Sequence, residues 1–343
     1  MKVRPFDWRD FPTLHRYRNH CLFLDNVRVL TQGPRLVPVG ALFSYFALTS
    51  GIFTYQSRDD DGSHTVLIGQ VTHASGSPSA HLSFLAPEAD LDSPALPALL
   101  EKLTKEVGQR GAYHMLADVE EDDPVFELLR KAGFAIFARQ RIWKLDGRQL
   151  TRKTVSKEAL AAAPSPGNVL PDDPSDGSSH QEAVLTPWKT GTSRDLIGVR
   201  SLYCNLVPGL VQQIEPSPIG RPQGLVYREG SDVMAYIEMK SGPHGIWMQP
   251  FIHPDMDNVP GRLVNLLQNL VFRRARPVYL CVRSYQSWLE SAVEDLGAEA
   301  GPCQVVMVKR LALPLKEARR YALPALERGQ PEISAPVTQS KSN

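Results

Sequence analysis

The chain carries one stretch of sequence twice. Residues 81–103 and 248–270 align without a gap, and seven positions are identical at a constant offset of 167. The identical pairs are Phe84 and Phe251, Pro87 and Pro254, Asp90 and Asp257, Leu96 and Leu263, Leu99 and Leu266, Leu100 and Leu267, and Leu103 and Leu270. Leucines spaced i, i+3, i+4 and i+7 are typical of a helix face packed on a core. Each copy therefore predicts an apolar strand, a loop with proline and aspartate, and a helix, and the repetition predicts a duplicated domain.

The elements around the repeated stretch follow the same order in both halves. In the first half we predict strands over 2–6, 51–57, 66–73, 80–86, 113–119 and 135–144, with helices over 10–19, 94–110 and 125–132. In the second half we predict strands over 184–187, 225–228, 233–240, 278–283 and 304–311, with helices over 195–206 and 286–296. The fold class is mixed α/β (α+β). We expect two tandem but separate domains, residues 1–150 and 183–315, each with a mostly antiparallel central sheet flanked by helices and splayed at the repeated loop.

Two segments lack any such periodicity. Residues 151–182 are rich in Pro, Ser, Gly and Asp and contain few large apolar side chains, which is typical of a flexible linker. Residues 322–343 are similarly polar, and we predict a disordered tail there.

Composition narrows the class of protein. A formal net charge of +1 provides no overall electrostatic attraction for nucleic acid or an anionic membrane. Four widely spaced cysteines favour a reducing cytoplasm over a disulfide framework, and no cluster has metal-ligand spacing. Residues 36–57 carry no charge, but Pro38, Gly40 and Gly51 favour a buried turn and strand over a membrane span. We therefore expect a cytoplasmic protein without nucleic-acid, membrane or metal partners, and the sequence leaves its oligomeric state open.

The element order and two motifs carry a family resemblance. Residues 122–134, DDPVFELLRKAGF, and residues 3–10, VRPFDWRD, resemble the penultimate helix and the first strand of the Gcn5-related N-acetyltransferase (GNAT) superfamily. The resemblance covers residues 1–146 and 184–312. It implies acetyl-CoA as co-substrate and transfer of its acetyl group to an amine of a small molecule or peptide. It also implies that the pantetheine arm pairs with the splayed edge of the central strand, while the following loop holds the pyrophosphate.

The repeated loop departs from the family's glycine-rich signature in both halves. Residues 87–95, PEADLDSPA, contain neither glycine nor a basic residue, whereas residues 254–262, PDMDNVPGR, keep one of each at the helix start. If either half holds acetyl-CoA, we expect the second to do so. By resemblance, its cofactor-binding residues are Phe251, Ile252, His253, Pro260, Gly261 and Arg262. Gly261 and Arg262 equally suit a plain Pro-Gly helix start and a solvated charge, and His253 suits a strand-end surface histidine.

The catalytic candidates also lie in the second half. Glu238 is on the strand before the central one, from which the family often supplies a base, but it equally suits a side chain that faces water. Tyr285 follows the fifth strand and could reach a thiolate, although Trp288 and Leu289 nearby favour ordinary packing. The family's usual tyrosine falls on Leu129 and Val293, neither of which can donate a proton. Two functions therefore remain open: an acetyltransferase whose second half binds acetyl-CoA, and a non-catalytic acetyltransferase-like binding or interaction module.

Overall fold

Both copies of the repeated stretch fold as the leucine spacing predicts. The first forms strand β5 (Ser79–Ala86) and helix α3 (Ala95–Gln109), and the second forms β11 (Ile246–Ile252) and α7 (Val259–Val271). The repeated leucines of α3 are buried, as are the first three of α7. Each helix covers one face of the sheet beside its own strand, because its apolar stripe needs such a surface.

The computed structural model describes residues 2–35, 38, 51–58, 66–145, 188–271 and 276–311, all within one unit, Met1–Leu313. The remaining strands are β1 (Lys2–Pro5), β2 (Leu22–Phe23), β3 (Ile52–Arg58), β4 (Val66–His73), β6 (His114–Glu120), β7 (Ala135–Leu145), β8 (Trp188–Thr190), β9 (Gly224–Glu229), β10 (Asp232–Ser241), β12 (Val278–Arg283) and β13 (Glu299–Arg310). The remaining helices are α1 (Phe11–Tyr17), α2 (Asn26–Gln32), α4 (Val125–Lys131), α5 (Leu196–Leu206), α6 (Gly209–Ile214) and α8 (Leu289–Asp295).

The described strands form one sheet, in the order β1-β3-β4-β5-β6-β13-β7-β12-β11-β10-β9-β8, with β2 beside β5. Among the described strands, only β5–β6 and β11–β12 are parallel pairs. The mixed α/β class and the tandem arrangement are thus confirmed. The expectation of two separate domains is wrong, because a single sheet runs through both halves. Sequence periodicity reports which residues are apolar but not which strand lies beside which.

The sheet is continuous because the two halves exchange their last strands. β13, at the end of the second half, lies between β6 and β7, and β7, at the end of the first half, lies between β13 and β12. Val305 and Met307 of β13 are fully buried in the first half's core. Trp143 and Leu145 of β7 are buried in the second half's core. Each core therefore includes a strand supplied by the other half.

Two short helices also pack across the halves. Val27 and Leu30 of α2 lie against Trp247 and Cys281 in the second half. Ile214 of α6 lies against Leu116, and its carbonyl accepts a hydrogen bond from Ser79 Oγ at 2.9 Å in the first half. These contacts place α2 and α6 beside the shared centre of the sheet.

Several sequence predictions concern residues outside the described ranges. These are the linker (151–182), the strand predicted over 184–187, the tail (322–343) and most of the uncharged run (39–50). Within the ranges that the structure does describe, no helix is long and apolar enough to cross a membrane.

Candidate functional site

The first half's central strands splay, and the chain itself fills the opening. β5 and β6 pair only from Ser79 with His114 to His81 with Leu116. Beyond that point β2 pairs with the free end of β5. Leu24 then bridges the two diverging strands: its N–H donates to Ser83 O at 3.0 Å, and its carbonyl accepts from Asp118 N at 2.8 Å. The edge that a pantetheine arm would use is therefore already hydrogen-bonded.

The second half splays at the equivalent place, and a side chain closes it. β11 and β12 pair only from Ile246 to Met248 on β11. Gln286, which is 1% exposed, then donates from Nε2 to Pro250 O at 2.7 Å and accepts the Ile252 N–H at Oε1 at 3.0 Å. Pro250 has no N–H to offer a ligand in any case. The Gln286 amide thus bonds the Ile252 N–H and the Pro250 carbonyl, the backbone groups of β11 beyond its pairing with β12.

Arg262 lies in the first turn of α7, but its guanidinium is already bound. It donates to Glu229 Oε1 at 2.8 Å and to Asp257 O at 2.7 Å, and it stacks 4.4 Å from the Tyr227 ring centroid. The Gly261 N–H donates to Asn258 Oδ1 at 3.2 Å, so the helix start is capped internally. Pro260 lies beside them in the same turn. A phosphate at this position would have to displace Glu229.

The loop of the first half has no better anion site. Glu88 N donates to His20 O at 2.9 Å, and Ala95 N donates to Ser93 Oγ at 3.2 Å. Glu88 and Asp90 add negative charge, which opposes a phosphate group. The residues present in the two halves therefore do not fit a bound CoA as the chain is folded.

A different cavity lies where the halves meet. It has a volume of about 380 Å³, within the range of small-molecule pockets. Both halves line it, with His81, Leu116 and Asp118 from the first half and Glu238 and Arg283 from the second among its walls. The cavity exists because the shared strands bring β6 and β12 to either side of the sheet's centre.

Arg283 is the most distinctive group in this cavity. It ends β12 and its side chain is 7% exposed. Among the described residues its only hydrogen bonds are those from Nη2 to Glu215, at 2.7 Å to Oε1 and 3.0 Å to Oε2. Nε and Nη1 are buried without a hydrogen-bond partner among the described residues. Burial alone would lower the pKa of Arg283, but the Glu215 carboxylate reverses this and raises it, so the side chain is a fixed cation.

Asp118 is a second unusual group at the cavity wall. Its Oδ2 accepts a hydrogen bond from Asn26 N at 3.1 Å. Burial, and then the nearby Asp25 carboxylate, raise the pKa of Asp118 to about 6, although His81 and Arg283 act in the opposite direction. This carboxyl can therefore change its protonation state near neutral pH.

Both predicted catalytic residues lie at or beside the cavity. Glu238 lines it, lies opposite Gln249 on β11 and is 3.4 Å from Lys240 Nζ. Tyr285 is half-buried and forms a side-chain hydrogen bond with Gln249. Burial raises the pKa of Tyr285 and Glu215 adds to the effect, against the opposing charge of Arg283, so its phenol stays protonated at neutral pH.

The predicted cofactor residues at the end of β11 do not share one site. Phe251 faces the cavity, where Tyr203 and Tyr236 lie with ring centroids 5.2 Å and 6.0 Å away. Ile252 faces the second half's core. His253 N donates to Met234 O at 2.8 Å, and its ring accepts from Asp255 N at 3.2 Å. The cofactor role of these residues remains a prediction.

Sequence reasoning missed Arg283, Asp118 and Gln286. Asp118 interrupts the apolar strand β6 and Arg283 ends the apolar strand β12, and a charge in or at the end of such a strand is the signal that could have marked them. Gln286 carries no signal in the sequence, because its role depends on the splay of β11. In the described part of the chain, no group of three or more His, Cys, Asp or Glu side chains could hold a metal ion.

Comparison with known proteins identifies the fold. No family model matches the chain, and no curated protein matches it. A Gcn5-related N-acetyltransferase from Sphaerobacter thermophilus superposes with a TM-score of 0.50 and 10% identity, over 90% of this chain and 95% of that one. A tandem GNAT protein from the clavulanic acid biosynthesis pathway gives 0.47 and 14% over 90% and 98%, and a GNAT-family acetyltransferase from Colwellia psychrerythraea gives 0.40 and 9% over 90% and 100%. The chain has the fold of the Gcn5-related N-acetyltransferases.

Proposed function

We propose that the chain is a non-catalytic binding module built on the acetyltransferase fold, with its ligand site in the central cavity. The observation that carries the proposal is that Gln286 occupies the edge of β11 that a pantetheine arm would need. The equivalent edge of β5 is occupied by β2 and Leu24. A fold that fills both of its cofactor grooves with its own groups is better suited to binding another ligand.

The cavity supports a binding role on chemical grounds. It combines an aromatic wall with several charged side chains, as small-molecule sites do. Its residues come from both halves, so the duplicated architecture itself builds the site. A single half would supply only part of the wall.

The test is calorimetric titration of the full chain with acetyl-CoA and with free CoA. We expect no saturable heat at ligand concentrations up to about 1 mM, equivalent to a binding free energy weaker than about −4 kcal/mol. Saturable binding of acetyl-CoA in the micromolar range would contradict the proposal.

A second candidate is acetyl transfer by the second half to an amine of a small molecule or peptide. The position of Glu238 on the cavity wall, with Tyr285 nearby, favours it, since a base and a proton donor would lie close together. An assay of CoA release with a panel of amines separates the two functions. Release that depends on Glu238 would support the acetyltransferase.

A further inference from the structure

The central cavity contains a buried cation with unused hydrogen-bonding capacity. Arg283 Nε and Nη1 have no acceptor among the described residues, and its side chain is 7% exposed. Burying charged N–H groups without acceptors is costly, so such groups are normally paired or solvated. Arg283 lines the cavity, so a ligand bound there could supply the acceptor that the described residues do not.

Two of the three acids on the cavity wall are already paired with cations. Glu215 binds Arg283 through Nη2, and Glu238 lies 3.4 Å from Lys240. Asp118, the remaining acid of the wall, accepts a hydrogen bond from Asn26 N, and with a pKa of about 6 it is mostly ionised at neutral pH. Repulsion of an incoming anion by Glu215 and Glu238 is therefore reduced, while Arg283 retains its positive charge and two N–H-bearing nitrogens without an acceptor among the described residues.

The wall near Arg283 is aromatic. Phe251 lies between Tyr203 and Tyr236, and Tyr203 O–H donates to the carbonyl of Glu215, the residue that holds Arg283. Such a wall favours an apolar or aromatic body next to the charged group of a ligand.

From this arrangement we propose that the cavity binds a small organic carboxylate, with the carboxylate on Arg283 and an aromatic or apolar body against Tyr203, Tyr236 and Phe251. A planar carboxylate accepts from guanidinium N–H groups with good geometry. The inference rests on the proposed function, in that it takes the central cavity to be the ligand site.

Phenylacetate is the probe, and phenylacetamide is its neutral control. We measure binding to the full chain by calorimetry and by ligand-observed NMR, with inorganic phosphate as a third ligand. Saturable binding of phenylacetate, at least about tenfold tighter than that of phenylacetamide, is expected from a charge-assisted contact. Equal binding of the acid and the amide, tighter binding of phosphate, or no binding of phenylacetate would each overturn the proposal.

Three variants test the role of Arg283. Arg283→Gln should weaken phenylacetate binding by about tenfold or more. Because that variant could fail to fold, Glu215→Gln provides an independent test: it removes the competing carboxylate and should strengthen phenylacetate binding by a few-fold. Arg228→Gln is the matched control, since Arg228 pairs with Asp195 and does not line the cavity. Unchanged affinity in a folded Arg283→Gln protein, or weaker binding in Glu215→Gln, would contradict the assignment.

Titration of the same samples with acetyl-CoA distinguishes the two proposals. Binding of acetyl-CoA overturns the proposed function. If neither acetyl-CoA nor phenylacetate binds, only the proposed carboxylate site is overturned. Binding of phenylacetate that Arg283→Gln abolishes supports the site, whatever the result with acetyl-CoA.

Discussion

Gln140 and Gln304 lie opposite each other on the neighbouring strands β7 and β13, and Gln140 Nε2 donates to Gln304 Oε1 at 3.3 Å. They are equivalent residues of the duplication, since each follows the glycine of its half (Gly133 or Gly297) by the same seven residues. The flanking pairs, Glu299 with Lys144 and Val308 with Ala135, exchange places at the same offset of 164. A pseudo-twofold axis therefore passes between the two glutamines, and the halves are joined at their own symmetry centre.

The exchange of β7 and β13 between the halves predicts that neither half folds alone. A fragment ending near residue 150 lacks Val305 and Met307, which are buried in its core, and a fragment starting near residue 183 lacks Trp143 and Leu145. We expect each fragment to show little ordered structure by amide NMR, and the two together to recover the native spectrum. A well-dispersed native-like spectrum from either fragment would contradict the exchange.

Deletion of residues 161–178 provides the control for the fragments. This segment is polar and has no apolar face to bury, so its removal should leave the melting temperature nearly unchanged. A large drop would count against the linker prediction, which the described residues do not reach.

Gln286→Ala should destabilise the protein. It leaves Ile252 N and Pro250 O unsatisfied in a buried site, at a cost of about 2–4 kcal/mol in the free energy of unfolding. Urea denaturation measures this, with the exposed Gln213→Ala as a control expected to change stability by less than about 0.5 kcal/mol. Because Pro250 still lacks an N–H, the variant should gain no strong affinity for CoA; a clear gain would show that Gln286 alone closes the groove.

Arg262→Glu should affect folding before it affects any ligand. A solvated charge, one of the two interpretations that the sequence allows for Arg262, would tolerate this change, but the side chain pairs with Glu229 and stacks on Tyr227. Replacing an attraction with a repulsion at a partly buried pair should cost about 1–2 kcal/mol. Arg130→Glu, which breaks the exposed pair with Glu127, is the control, with an expected cost of about 0.5 kcal/mol. If thermal denaturation shows the same loss of stability in Arg262→Glu and Arg130→Glu, the greater burial of the Arg262–Glu229 pair does not determine the cost.

Asp118→Asn should stabilise the protein in a pH-dependent way. The pKa of Asp118 is raised in the folded state to about 6, so the folded protein binds this proton more tightly than the unfolded chain does. The charged form therefore costs stability above about pH 6, and the cost disappears as the pH falls towards 4. We expect a gain of about 1–2 kcal/mol at pH 7.5 that shrinks at pH 4.5, measured by urea denaturation at both pH values. A gain that does not vary with pH would mean that titration of Asp118 is not its source.

Local elements could be predicted from the sequence, because each depends on neighbouring residues. The leucine stripe predicts α3 from Leu96 to Leu103, and the glycines at 133 and 297 mark where α4 and α8 end. Helix α2 was not predicted, because the β-branched residues Val27, Val29 and Thr31 lower its intrinsic helix propensity. The Asp25 cap and contacts with the second half stabilise it instead.

The candidate site was less predictable, since it depends on contacts distant in sequence. Glu238 could be proposed as a candidate base because it lies on the strand before the central one. Arg283 and Asp118 come together only because β12 and β6 flank the exchanged strands. Register between strands that are 164 residues apart is set by the assembled core, and no local pattern encodes it.

The exchange of β7 and β13 also decides how much unpaired backbone the protein exposes. Two separate sheets would have four end strands, each a template for aggregation, whereas the single sheet of the described strands has two, with the two-residue β2 branching from β5. The edges that remain are β1, four residues long and ending at Pro5, and β8, three residues long. Short edges and a proline give an added strand little to pair with, so the strand exchange and the short end strands together protect the sheet against aggregation.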